Sequence, residues 1–98
     1  MEDIIYLVLC NYGGVRPSDN FTTEDREDAF SMYASYSNLE RFSIDDLLRI
    51  PFFVVELYAI PCDKDGIFIA DEHGSFDSYL LKKQFFDLWL IYPKESLL

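Results

Sequence analysis

Ninety-eight residues carry 18 Asp plus Glu against 8 Lys plus Arg, a formal charge of −10 with the one histidine neutral. Half of the chain is hydrophobic and 17 % is aromatic, with only 4 Gly and 4 Pro, which excludes a disordered acidic tail and suffices for one core. The charge argues against direct binding to nucleic acid or anionic lipid, whose recognition needs clustered Lys and Arg.

The start, Met1-Glu2-Asp3, is acidic where a secretory signal needs positive charge. The longest apolar stretches, around Phe52 to Ile60 and Phe85 to Tyr92, fall short of the roughly 20 residues that cross a bilayer. These features point to a soluble protein of the cytoplasm. Cys10 and Cys62 end apolar runs and are expected as buried free thiols; a disulfide is the lesser alternative, given no secretory signal.

Ile4 to Cys10 is a β-branched and aliphatic run closed by Asn11 and Gly13-Gly14, which predicts a strand near the sheet centre. Val15 to Phe21 reads as a loop ending at a helix start, Thr22-Thr23-Glu24-Asp25, with Thr as the cap. The helix runs from Glu24 to about Tyr36, with Ala29, Phe30, Tyr33 and Ala34 inward and Glu24, Glu27, Asp28 and Ser31 in water. A second start at Ser43-Ile44-Asp45-Asp46 predicts a short helix stopped by Pro51.

Phe52 to Ile60, closed by Pro61, is the clearest strand, and Asp63-Lys64-Asp65-Gly66 turns it into Ile67 to Ala70, expected to pair back as a hairpin. Asp71-Glu72-His73-Gly74 forms a further turn. Ser78 to Gln84 is assigned a short helix or irregular path, and Phe85 to Tyr92 a strand ended by Pro93. The expectation is a single α+β domain over residues 1–98. It has a mostly antiparallel sheet of about four strands, with one main and one short helix packed on one face.

Motifs for catalysis and cofactors fail in turn. Tyr12-Gly13-Gly14-Val15-Arg16-Pro17 matches neither phosphate-binding glycine pattern, and acids crowd the helix start a phosphate would face. The glycines are read as permitting a left-handed turn. Around Gly66 the spacing to Glu72 fits a calcium loop but the number of preceding ligands does not. His73 is the only histidine, which removes a multi-histidine metal centre, and buried thiols disfavour a nucleophilic thiolate. No catalytic residue, metal site or cofactor is expected.

The negative charge is concentrated. Asp19 to Asp28 sets five acids against Arg26, and Asp63 to Asp77 sets five against Lys64, a net of −4 in each segment. Helix dipoles, turn chemistry and solubility account for such acids without any partner. The functional reading is that carboxylates present a negative field to a basic cleft built for a polyanion. The candidate contacts are Glu24, Asp25, Glu27, Asp28, Asp63, Asp65, Asp71 and Glu72. Tyr12, Tyr33, Tyr36, Tyr58 and Tyr79 are too many to bury completely in so small a core, and exposed Tyr is a common interface anchor.

In size, acidity, aromatic content and lack of catalytic motifs, the whole chain resembles small phage-type anti-CRISPR and antirestriction proteins, and also nuclease immunity proteins. The resemblance is one of composition and rests on no aligned motif. It implies a non-enzymatic inhibitor, acting in the host cytoplasm if phage-encoded, that binds a nucleic-acid-handling protein and blocks its substrate site. Two other readings stand beside it. One is a regulatory or structural interaction domain, homo-oligomerisation through Phe85 to Tyr92 being one form of it, with the acids serving solubility. The other is a small enzyme or ligand-binding domain, whose sign would be a pocket with convergent carboxylates or His73 beside a polar cavity.

Overall fold

The computed structural model describes residues 3–97; Met1 and Glu2, the first residues of the acidic start, lie outside it. Four strands form one antiparallel sheet: β1 (Asp3–Asn11), β2 (Asp19–Thr23), β3 (Phe52–Cys62) and β4 (Leu80–Asp87), in the spatial order β2-β1-β3-β4. Helices α1 (Arg26–Ser37), α2 (Ile44–Arg49), α3 (Leu88–Ile91) and α4 (Lys94–Leu97) complete an α+β architecture, as expected. β1 is central, because an apolar run of this kind needs cover on both sides.

Opposite residues of antiparallel strands share a face. Val8 faces Phe21 and Leu57, Cys10 faces Val55, and Phe53 faces Phe86. That face meets Ala29 and Tyr33 of α1 in the core. Phe53 stacks on Phe86 with centroids 4.5 Å apart and packs against Phe42 at 5.0 Å. Burying a side chain of this size contributes about 2 kcal/mol.

Local chemistry sets the helix ends. Asp25 caps α1, its Oδ1 accepting N–H bonds from Glu27 at 2.8 Å and Asp28 at 3.3 Å. Ser43 and Asp46 form a reciprocal capping box on α2. Gly13 has φ +68°, and a Cβ there would come 2.9 Å from the Phe52 ring, so this turn requires glycine.

Several sequence expectations are corrected. Residues 19–23 form a strand rather than loop: Phe21 packs opposite Val8, and β1 supplies the hydrogen bonds that polar Asp19, Asn20 and Thr22 do not advertise. The helix cap is Asp25 and not Thr, since Thr22 and Thr23 finish β2. Ala34 is exposed and leaves the expected inward stripe. β3 runs through Pro61 to Cys62.

Ile67 to Ala70 is not a strand. It does turn back antiparallel on the end of β3, but only through the Cys62–Phe68 bridge and two backbone bonds, Asp63 N–H to the Ile67 carbonyl at 3.0 Å and Ile69 N–H to the Pro61 carbonyl at 2.9 Å. The long edge of β3 is taken by β4, with Leu81 bulged where the register shifts between Leu57 and Tyr58. In the last segment the strand is displaced toward the N-terminus: Ser78 and Tyr79 lie in a 3-10 turn and Phe85 to Asp87 are strand as expected, but the strand begins at Leu80 and residues 88–91 are helix. The Asp87 side chain caps the Leu90 N–H at 3.2 Å, Leu88 is buried, and the Trp89 indole N–H donates to the Leu47 carbonyl at 3.1 Å. Those three contacts stop the strand.

Candidate functional site

The sheet has two distinct ends. β1 begins, and β2 and β3 finish, at one end; Asp3 stands opposite Cys62, and Thr23 leads directly into the α1 cap. Glu24, Asp25, Glu27 and Asp28 therefore share this end with Asp63 and Asp65, which continue from β3. The buried Cys62 thiol lies within the field of Glu24 and Asp63, one acid from each segment. Burial pushes its pKa up, and the negative charges of Asp63, Asp3 and Glu24 push the same way. Asp71 and Glu72 are not part of this group: their turn leads into Gly74 and Ser75, which lie against the open face of the sheet.

The carboxylates differ in how free they are. Asp25 is held by the α1 cap. Asp63 Oδ1 accepts the N–H groups of Asp65 and Ile67 at 2.8 and 3.0 Å. Asp71 accepts from the N–H groups of His73 and Ser75 and from the Ser78 hydroxyl, and these bonds, with Ser75 first, hold its pKa below the usual carboxylate value. Glu72 lies 3.4 Å from His73 in an exposed pair. Glu24, Glu27, Asp28 and Asp65 make no side-chain bond of this kind among the described residues and stand in solvent.

The opposite end is aromatic, with two arginines whose charge is met locally. Arg41 donates from Nε to the Tyr36 carbonyl at 3.0 Å and from Nη2 to Cys10 Sγ at 3.3 Å, with its guanidinium 4.2 Å from the Phe42 ring centre. Arg16 lies over the Tyr12 ring at 4.0 Å and pairs with Asp19 and Asp46 at 3.7 and 3.6 Å. The Tyr12 hydroxyl donates to Asp19. Burial raises the Cys10 thiol pKa despite the neighbouring Arg41, so the thiol form is favoured.

As expected, the five tyrosines are not all buried: Tyr12 and Tyr33 are, while Tyr36, Tyr58 and Tyr79 are half-buried. The most exposed large apolar side chains among the described residues are Leu90, Ile67, Ile44 and Phe85, at 76 %, 63 %, 62 % and 58 %, with Ile91 at 46 % next to Leu90.

A hollow of about 420 Å³ lies on the open face, walled by Leu7, Leu9, Ile60, Phe68 and Phe76, with Tyr58, Ser75 and Asp77 beside them. The Tyr58 hydroxyl donates to Glu56 Oε2 at 2.7 Å. Burial, that hydrogen bond and the charges of Glu56 and Asp77 push the phenol up to about 12. Sequence reasoning did not find this hollow. The available signal was the unbroken apolar run of β1, which has side chains for both faces while α1 covers only one.

Among the described residues, no helix is long and apolar enough to cross a membrane. No family model, curated protein or solved structure matches this chain.

Proposed function

We propose that this chain is a non-enzymatic inhibitor that presents its acidic end to a basic nucleic-acid-handling protein, such as a CRISPR effector or a similar nuclease, and occupies the site meant for the polyanion. The observation that carries this reading is the convergence of Glu24, Asp25, Glu27 and Asp28 with Asp63 and Asp65 at one end of the sheet. At the other end Arg16 is paired with Asp19 and Asp46, and Arg41 is engaged with Cys10 and the Phe42 ring. Such a charge distribution orients the protein in the field of a basic cleft.

The test measures binding to a purified CRISPR effector at low and high salt, together with charge reversals. Affinity falls with salt, and Glu24→Lys with Glu27→Lys weakens binding more than Glu95→Lys. Equal losses for the two reversals, or salt-independent binding, reject the electrostatic reading.

A second reading draws on the exposed Phe85, Leu90 and Ile91 and on the outer edge of β4, which pairs with no strand among the described residues. In it, the chain is a structural or regulatory interaction domain that self-associates through this surface, with its acids serving solubility. Light scattering on the isolated protein addresses it. A strict monomer over the accessible concentration range rejects self-association.

A further inference from the structure

The hollow on the open face has a composition that selects its ligand. Its walls are aliphatic and aromatic, and its volume of about 420 Å³ lies within the range of about 300 to 1,000 Å³ that small-molecule sites occupy. Charge beside it has one predominant sign. Asp77 lines it, and Glu56 is fixed next to it by the Tyr58 hydroxyl. Neither carboxylate takes part in an ion pair among the described residues. The cation nearest in register is Lys83, opposite Glu56 in the sheet and exposed to water.

We propose that this hollow is a binding site for a small organic cation with an aromatic or aliphatic body, of the arylalkylamine class. The ring enters between Leu7, Leu9 and Phe76, and the ammonium group remains at the edge beside Asp77 and Glu56. The apolar walls supply affinity without polarity of their own. The carboxylates reject an anion of equal shape and favour the cation over a neutral analogue. This site is separate from the acidic end of the sheet and stands independently of the proposed inhibitor role.

The experiment uses the full-length chain, labelled with nitrogen-15, and three probes that share one ring: tryptamine, the alcohol tryptophol and indole-3-propionate. Amide shifts at Leu7, Leu9, Ser75, Phe76 and Asp77 report occupancy. The expected order is tryptamine first, about threefold or more tighter than tryptophol as befits a partly exposed charge contact, with the propionate weakest. Asp77→Asn combined with Glu56→Gln brings tryptamine to the affinity of tryptophol. Asp77 is exposed and Gln can still accept the Tyr58 hydrogen bond, so this variant retains the fold, which its amide spectrum verifies. Absence of localised shifts, equal binding of all three probes, or a preference for the amine that survives the double substitution overturns the proposal.

Discussion

Asp25 combines two properties that substitutions separate: its side chain caps α1, and its charge belongs to the acidic end. Serine caps a helix as well as aspartate does, so Asp25→Ser leaves stability near the parent value and removes one charge. Asp25→Ala also removes the cap and costs about 1 kcal/mol, read from urea unfolding. The thiols make a different test. Burial favours the neutral form of both Cys10 and Cys62, and each is at most 1 % exposed, so iodoacetamide labels neither until the protein unfolds. A thiol modified at the rate of a free one contradicts the placement. Tyr58 gives the pH dependence. Its pKa rises from 10.0 to about 12, so folding favours the neutral phenol, and this contribution is complete below pH 10 and disappears as pH climbs through about 12. Thermal stability falls across that window, and Glu56→Gln brings the phenolate absorbance transition to lower pH.

β4 is the element on which the second reading depends. Its outer edge pairs with no strand among the described residues, which is a template for association, yet it carries Lys82 and Lys83 at its middle and a bulge at Leu81. Lys82 turns to the helix side, with Nζ 5.0 Å from the Tyr33 ring centre, while Lys83 faces the open side opposite Glu56. Lys83→Val exposes a continuous apolar edge running toward Phe85. Light scattering shows concentration-dependent association of this variant above that of the parent. An unchanged molecular weight means that the edge is protected by its twist and not by its charge.

The molecule as a whole is elongated, 55 × 27 × 19 Å, with free carboxylates concentrated at one end of the sheet and acids paired with Arg16 at the other. That separation matters to encounter more than to stability, because exposed charges steer a partner over distances that salt screens within about 8 Å at physiological ionic strength. In stopped-flow measurements with a basic effector, raising salt slows association by about tenfold and leaves dissociation nearly constant. A salt effect confined to dissociation assigns binding to close contacts, such as the apolar surface around Phe85 and Leu90.

The elements whose residues are covered on both sides, or capped by their own neighbours, were legible before folding. β1 and β3 announce themselves as apolar runs, and α2 by Ser43 and Asp46, because burial and local hydrogen bonds act through residue type and short spacing. β2 was not legible, since Asp19, Asn20 and Thr22 resemble a loop until β1 provides their hydrogen bonds. The same holds for the partner of β3: Leu80 to Asp87 pairs along Phe52 to Tyr58 and leaves Ile67 to Ile69 only the end of the edge at Pro61 to Asp63, a division that long-range pairing makes. The candidate carboxylates were visible as residue types. Which of them meet was not, because Glu24 and Asp63 are neighbours through the antiparallel return of the chain, a relation that no local pattern encodes.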